Sequence, residues 1–240
     1  MNKLRYGAFT LLVLTAVIIS CWNSAFGLSA PNETNVSQMP PVQLAGETQD
    51  NSLLYSDDFS DPTSGWKRSV TEEKEFRYQD GRYYITALIP DAVAAAFVPE
   101  ARIFKDFTVE VKAYLENISP DGEYGLDIRD NTDTGDFYRF VISADGSYRI
   151  YKYINGGWIG LTDWTKSSAI KDTGSNAIKI DAVGDKFTFY VNGKKLGESY
   201  DSSLTSGEIA LFAESVEDSP IKIGFDDLKI WAVNSTATTS

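Results

Sequence analysis

The segment Phe107-Thr-Val-Glu-Val-Lys-Ala-Tyr-Leu115 alternates between apolar and more polar side chains along its whole length. Its odd-numbered positions are apolar, and the side chains between them are Thr108, Glu110, Lys112 and Tyr114. Successive side chains of a β-strand point to opposite faces, so a period of two is typical of a strand with one buried face. The segment therefore predicts a strand whose sheet packs against a core on one side.

The same period continues through most of the chain between Leu53 and Val233. It is clear in residues 177–183 and 186–192, where the side chains predicted to face inward are Ile178, Ile180, Ala182, Phe187, Phe189 and Val191. Turn dipeptides separate the alternating segments at Asp80-Gly81, Asp145-Gly146 and Asn192-Gly193. Glycine and Asx residues supply the positive φ angles that tight hairpin turns require. The pattern predicts antiparallel strands joined by hairpins.

The fold class follows from how many one-faced strands the chain must bury. Apart from the apolar run near the N-terminus, no segment of useful length has a helical period. Strands with one apolar face are buried most simply by packing two sheets face to face. A propeller would need a repeat of blade length, and none is evident. We therefore expect an all-β, two-sheet antiparallel jelly-roll sandwich.

The composition excludes several kinds of chemistry. The 240 residues include 22 Lys and Arg against 34 Asp and Glu and no His, which gives a formal net charge of −12. Without His there is no imidazole base and no His-ligated zinc or haem. One Cys allows no intramolecular disulfide. An acidic surface repels nucleic acid and anionic lipid headgroups, so nucleic acid is not an expected partner.

The N-terminus has the pattern of a secretory signal. Lys3 and Arg5 precede an uncharged apolar run over residues 8–19, which is too short for a stable membrane-spanning helix. The run ends in Ile18-Ile19-Ser20-Cys21, which resembles the bacterial lipobox. The motif implies a lipidated Cys21 and anchoring to the outside of the cell membrane. The alternative is cleavage by ordinary signal peptidase near Ala25-Phe26-Gly27, with Cys21 discarded.

The predicted organisation has four parts. Residues 1–20 are the lipoprotein signal peptide, and residues 21–52 are the lipidated Cys with a disordered linker rich in Asn, Ser, Thr, Gln and Pro. Residues 53–233 form the sandwich domain, and residues 234–240 are a polar tail. The membrane is then a partner only through the lipid anchor.

Several motifs of the domain carry a family resemblance. They are Tyr55-Ser-Asp-Asp-Phe-Ser-Asp-Pro-Thr-Ser-Gly-Trp66, Asp80-Gly-Arg-Tyr-Tyr-Ile85, Tyr124-Gly-Leu-Asp-Ile-Arg129, Phe137-Tyr-Arg-Phe-Val-Ile-Ser143, Asp145-Gly-Ser-Tyr148, Phe189-Tyr-Val-Asn-Gly193 and Gly224-Phe-Asp-Asp-Leu-Lys-Ile230. Together they resemble the bacterial laminin-G-like branch of the concanavalin A-like lectin/glucanase superfamily. The resemblance implies a two-sheet jelly roll. Some relatives are 3-keto-disaccharide hydrolase domains and others are glycan-binding modules.

A candidate ligand-binding face follows from the parity of three neighbouring segments. The side chains predicted to face away from the core are Asp127, Arg129, Phe137, Arg139, Arg149, Tyr151 and Tyr153. Sugar rings stack on aromatic faces, and their hydroxyl groups bond to Arg and Asp, so this set suits a saccharide site on the concave sheet. Trp158 and Trp164, in the loop region that follows, would extend it. The alternative is an ordinary solvated sheet face with Asp127 paired to an Arg across the strands.

A candidate metal site lies at the edge of the sandwich. The inward phase of residues 221–230 slips near Asp226-Asp227, which predicts a β-bulge. Asp57-Asp58 on the first strand is a similar acidic pair, and terminal strands often pair and hold calcium in the superfamily that the motifs resemble. Oxygen ligands from Asp57, Asp58, Asp226 and Asp227 would suit a structural Ca²⁺. The alternative is that these acids only discourage aggregation at a sheet edge.

Catalytic motifs are absent from the sequence, and we expect no enzyme activity. The nearest approach to a glucanase motif is Glu123 with Asp127, but at ~3.3 Å per residue they would stand about 13 Å apart, beyond the range of carboxylate pairs in glycosidases. Carboxylates on different strands can still lie close enough together in the folded protein to form such a pair. The predicted function is recognition of an extracellular glycan or cell-surface ligand. The alternatives are a glycoside hydrolase of the 3-keto-disaccharide type and a protein-binding adhesion or structural module.

Overall fold

The computed structural model describes residues 52–119, 121–216 and 220–233. The predicted signal peptide, Cys21, the linker up to residue 51 and the tail from residue 234 lie outside the described residues. No helix in the described ranges is long and apolar enough to cross a membrane.

All regular secondary structure in the described residues is β-strand. The strands are β1 (Leu53–Asp57), β2 (Ser69–Val70), β3 (Lys74–Gln79), β4 (Arg82–Ala87), β5 (Val93–Phe97), β6 (Phe107–Asn117), β7 (Glu123–Asn131), β8 (Asp136–Ser143), β9 (Ser147–Ile154), β10 (Gly157–Gly160), β11 (Thr165–Lys166), β12 (Gly174–Val183), β13 (Lys186–Val191), β14 (Lys194–Tyr200), β15 (Glu208–Glu214) and β16 (Ile221–Ala232).

These strands form two antiparallel sheets, as the sequence predicts. The nine-stranded sheet has the order β14-β13-β12-β6-β16-β4-β3-β2, and β1 also pairs with β16. The seven-stranded sheet has the order β10-β9-β8-β7-β15-β5, and β11 also pairs with β9. Strands β7, β8, β9 and β10 form a meander in which consecutive strands are neighbours. The predicted ligand residues on β8, β9 and β10 therefore belong to one continuous sheet.

The core lies between the sheets and is largely aromatic. On β6, Phe107 and Val109 are fully buried, as their odd positions predict. Inward rings of β8 meet rings of β13 across the interface: Tyr138 lies 4.7 Å from Phe187, and Phe140 lies 4.9 Å from Phe189 between ring centroids. Such contacts add to the hydrophobic gain from burial, so they fix which face of each strand turns inward.

Turns and bulges set the remaining register. Asn192 and Gly193 both have positive φ in the β13-β14 turn, as do Asp80 and Gly81 in the β3-β4 turn, as predicted. The predicted bulge in β16 is confirmed by a register shift that spans Asp227, whose φ is 51°. A bulge therefore changes which side chains of β16 face outward.

Candidate functional site

The outward side chains of β7 to β10 and β15 form one surface on the seven-stranded sheet, here called the Trp158 face. Tyr138 and Phe140 of β8 point into the core, so the alternate residues Phe137 and Arg139 lie on this outer face. The register places Arg139 opposite Tyr151 and Phe137 opposite Tyr153. The structure therefore brings together Phe137, Arg139, Tyr151 and Tyr153, which sequence parity assigns to one face.

Trp158 is the centre of the aromatic part of this face. It lies on β10 opposite Tyr153, and not in a loop as expected, because the four residues of β10 fold back on β9. Its ring centroid is 5.0 Å from Tyr153, 5.4 Å from Phe137 and 5.6 Å from Tyr151, each in an edge-to-face arrangement. Trp158 is nevertheless 53% exposed, and Trp164 beyond it is 40% exposed. Three neighbours thus hold an indole whose remaining surface meets solvent.

A buried ion-pair network lies beneath the rings. Arg139 donates from Nε and Nη2 to the two carboxylate oxygens of Asp127 at 2.7 and 2.9 Å, and from Nη1 to Glu214 Oε2 at 2.9 Å. Its guanidinium carbon is 4.0 Å from the ring centroid of Phe212 and 5.3 Å from that of Trp158. Arg139 is only 4% exposed. Bidentate pairing satisfies its donors, so Arg139 and Asp127 support the surface and do not present free groups to a ligand.

Arg149 is the more accessible guanidinium of the face. Its Nε donates to Thr162 O at 2.9 Å, its Nη1 contacts Tyr151 Oη at 3.3 Å, and its plane covers the Tyr151 ring at 4.4 Å. Gly160 lies directly against the guanidinium, where a Cβ would collide with Nη2. Nη2 donates to none of the described residues, so part of the Arg149 fork is open to a ligand.

Arg129 does not lie on the Trp158 face, and the expectation that it faces away from the core is wrong. Its side chain is 0% exposed, with its guanidinium carbon 4.9 Å from the Phe187 ring on the opposite sheet. Nη1 donates to Leu204 O at 2.9 Å and Nη2 to Lys105 O at 3.0 Å. Arg129 therefore holds the loops that contain Leu204 and Lys105 against the edge of the core by bonding to their backbone carbonyl groups.

A bulge in β7 is the reason for this reversal. The register with β8 shifts between Ile128 and Asn131, and Arg129 has a φ of 51°. One extra residue moves the side chains that follow to the other face. Asp130 consequently takes the outward position next to Asp127 that parity assigns to Arg129. Nothing in the alternation of this segment marks the extra residue.

The structure adds four acidic or aromatic residues that the sequence analysis missed on this face. They are Asp130 on β7 and Glu208, Phe212 and Glu214 on β15. The β15 positions had a usable signal, because the apolar residues Ile209, Leu211 and Ala213 alternate with them in the sequence. The Asp130 position had none, since it depends on the bulge.

The carboxyl groups of Glu123, Asp127, Asp130, Glu208 and Glu214 are here called the acidic row. Glu123, at one end of β7, also lines an open hollow of about 290 Å³ together with Trp164 and Ser147. Glu123 stands directly opposite Glu214 in the β7-β15 pair. Its carboxyl group accepts no hydrogen bond from the described residues. Burial, and then the charge of Glu214, raise its pKa from 4.5 to about 7. Burial, and then Asp127 and Glu208, likewise raise the pKa of Asp130 to about 7.

At the predicted calcium site, β1 and β16 pair as expected, and Asp57, Asp58 and Asp227 line one open hollow. The four carboxylates have other partners: Asp57 accepts from Phe59 N and Trp66 Nε1, Asp58 from Ser60 N and Oγ, Asp226 from Asp227 N, and Asp227 from Lys112 Nζ. No three acidic side chains in the described ranges are grouped so that they could hold a metal ion. Backbone amides, the side chains of Trp66 and Ser60, and Lys112 therefore already engage these carboxylates, and calcium binding here stays a prediction.

Known structures share this architecture. A carbohydrate binding module, CBM66, from Bacillus subtilis is 18% identical with a TM-score of 0.56, and the match covers 70% of this chain and 96% of that chain. A protein of unknown function with a galectin-like fold from Bacillus subtilis is 13% identical with a TM-score of 0.61, covering 78% and 99%. The laminarinase catalytic domain from Thermotoga maritima is 12% identical with a TM-score of 0.59, covering 78% and 100%.

These likenesses establish the fold. The chain has the concanavalin A-like lectin/glucanase fold, a two-sheet sandwich shared by carbohydrate-binding modules and glycanases. No protein-family model matches the sequence, and no curated protein matches it significantly.

The raised pKa of Glu123 predicts a pH-dependent stability difference. Between pH 4.5 and about 7 the folded state binds more protons than the unfolded state, so this group contributes less stability as pH rises through that range. We expect Glu123→Gln to stabilise the protein by about 1–3 kcal/mol near pH 8 and by close to zero near pH 4. Urea unfolding at both pH values measures this, with Glu110→Gln on the other sheet as the control. An equal effect at both pH values would contradict it.

Proposed function

We propose that the sandwich domain binds an extracellular glycan on the Trp158 face. The observation that carries the proposal is the half-exposed indole of Trp158, fixed by the rings of Phe137, Tyr151 and Tyr153. An exposed, rigid aromatic plane costs little entropy when a sugar ring stacks on it, because its rotamer is already set. A solitary exposed Trp would be ordinary, but one held by three rings is a preformed contact surface.

Polar groups around the platform suit the hydroxyls of a sugar. The open Nη2 of Arg149 can donate to a hydroxyl oxygen, and the unbonded carboxyl of Glu123 can accept from a hydroxyl. Trp164 lines the same hollow as Glu123 and provides a second exposed ring. Two aromatic planes with polar groups between them favour an extended oligosaccharide over a single sugar.

The structural likenesses support a glycan as the ligand class. One similar structure is a carbohydrate binding module and another is the catalytic domain of a laminarinase. We further propose that the domain is related to laminin-G-like domains and 3-keto-disaccharide hydrolases. The support for this relation is the set of sequence motifs.

We also propose that the protein is a lipoprotein held on the outer side of the cell membrane by Cys21. The support is the lipobox-like Ile18-Ile19-Ser20-Cys21 after a basic and apolar leader. A tethered domain would meet polymeric glycans outside the cell, which agrees with binding on an exposed face.

Glycoside cleavage is the second candidate, and one observation favours it. Glu123 and Glu214 stand directly opposite each other in an antiparallel pair, where Cβ atoms lie about 4.5–5.5 Å apart. Retaining glycosidases hold two carboxyl groups about 5–5.5 Å apart, with one protonated as the acid and the other ionised. Burial raises the pKa of both, but Arg139 bonds to Glu214 and favours its ionised form. Glu123 would then be the acid and Glu214 the nucleophile.

The binding proposal predicts a loss of affinity when the platform is removed. We expect Trp158→Ala to weaken binding of any glycan that the protein selects from an oligosaccharide array by at least tenfold, because the stacking plane is lost. Isothermal titration measures the affinity. Tyr200→Ala removes a similarly exposed ring from the other sheet and should change affinity less than twofold. Binding that survives Trp158→Ala would contradict the assigned face, and silence on the array would favour a protein partner.

The anchoring proposal predicts a change of location. We expect Cys21→Ser to move the protein from the membrane fraction to the soluble or secreted fraction, because the only thiol that can carry the lipid is lost. Immunoblots of fractionated cells measure this. Unchanged membrane association would refute the lipid anchor.

The second candidate predicts turnover of the bound glycan. If the protein cleaves it, Glu214→Gln should abolish product formation while affinity changes only a few-fold, and Glu123→Gln should remove the basic limb of the pH profile. Product chromatography measures both. Absence of cleavage by the wild-type protein across the panel of bound glycans would eliminate this candidate and leave binding intact.

A further inference from the structure

The Trp158 face carries an excess of acidic groups along two adjacent strands. The five carboxyl groups are Glu123, Asp127 and Asp130 on β7 and Glu208 and Glu214 on β15. The register pairs Glu123 with Glu214 and Asp130 with Glu208. Like charges directly opposite each other destabilise a sheet, so this arrangement needs an explanation.

The basic groups on the face neutralise only part of this charge. Arg139 binds Asp127 and Glu214 and completes their pairing. Arg149 bonds to a backbone carbonyl and a phenol, and to no carboxylate of the residues that the structure describes. Glu123, Asp130 and Glu208 therefore have no ion-pair partner among the described residues. Within the described ranges, Glu208 accepts one side-chain hydrogen bond, from the Thr132 hydroxyl at 3.1 Å.

Asp130 is the most unusual of the three. It is 7% exposed, and its side chain accepts no hydrogen bond from the described residues. The register places it opposite Glu208, and the bulge gives it the outward position after Asp127, so it belongs to the outer face near Asp127, Glu208 and Arg139. Because Asp130 is largely withdrawn from water and lies near two other carboxyl groups, its ionisation is costly. A ligand that brings a positively charged donor would remove that cost.

We propose, building on the glycan-binding function, that the ligand is an amine-bearing glycan whose ammonium groups bind Glu123 and Asp130 while its rings stack on Trp158. An ammonium group has three donors and needs only one or two carboxylates. A metal ion would need a tighter group of acids than the described residues contain. A polyanionic glycan would be repelled by the same carboxyl groups.

Proton release accompanies binding in this scheme. The groups that face Glu123 are Glu214, Arg139, Arg149 and Asp145, and those that face Asp130 are Asp127, Glu208 and Arg139. Near neutral pH both carboxyl groups are partly protonated. An ammonium group at hydrogen-bond distance favours the ionised form, so binding expels protons to the buffer. A neutral glycan bound on the same face would expel few or none.

The test compares matched glucosamine and N-acetylglucosamine oligomers of equal length, titrated calorimetrically into the full-length protein in two buffers of different ionisation enthalpy. The pH is about 5.5, where the amines of the glucosamine oligomer are already ammonium ions and Glu123 and Asp130 still hold protons, so any proton released comes from the protein. We expect the amine form to bind at least tenfold more tightly and to release protons. Glu123→Gln and Asp130→Asn should each reduce that preference at least threefold and reduce proton release. Glu110→Gln, on the other sheet, should leave both unchanged.

The outcomes separate this inference from the binding proposal. Equal affinity for the two forms, or a preference that survives both variants, overturns the amine assignment. If a neutral glycan binds in a Trp158-dependent manner while the amine form gains nothing, glycan binding stands and the amine assignment falls. If no glycan of either form binds, both fall. A lysine-rich peptide that binds as tightly as the amine oligomer overturns the glycan identity of the ligand.

Discussion

The bulge at Arg129 is the constraint on which the functional face depends. A strand with one buried face allows no change of phase unless an extra residue is accommodated. Here the accommodation is made by the buried guanidinium, which bonds to the carbonyls of Leu204 and Lys105. Arg129, whose position in the alternation predicts an outward side chain, is thereby buried at the edge of the core. Asp130 takes the outward position in its place and follows Asp127 on the outer face of β7.

Support for the aromatic platform comes from the layer beneath it. Arg139 is held in plane by two bonds to Asp127, and the rings of Phe212 and Trp158 lie on the guanidinium. A buried pair of this kind is weak evidence of stability, because desolvation offsets much of the Coulombic gain. Its value here is positional. Because the guanidinium is fixed, the rings that pack on it are also held in position. A flexible surface Arg would not hold them in this way.

The sequence predicts the fold well because alternation reports burial directly. Phe107, Val109, Phe187 and Phe189 are inward as expected, since one face of each strand is buried against the other sheet. The alternation of a strand predicts which face a side chain lies on, but not how exposed it is there. Arg139 lies on the predicted face, yet it is far more buried than an ordinary outward sheet residue.

Three features of the site were beyond prediction for separate physical reasons. The bulge at Arg129 leaves no mark on the alternation of β7. The local partners of the acidic pairs, such as the bond from Phe59 N to Asp57, depend on turn geometry that the residue types alone do not specify. The strand that carries Trp158 spans only Gly157–Gly160, too short for a period of two to be recognised.

The acidic row also explains why the face is poorly optimised for stability. Glu123 and Asp130 retain protons near neutral pH because burial and neighbouring carboxylates disfavour their charge, so both cost folding free energy when they ionise. Replacing either by an amide would remove that cost without disturbing the core. Local violations of folding rules are expected where a protein holds groups ready for a partner. Both carboxyl groups lie on the sheet face that carries Trp158, and Glu123 shares a hollow with Trp164, which agrees with the proposed partner, one that offers a ring and a positive charge together.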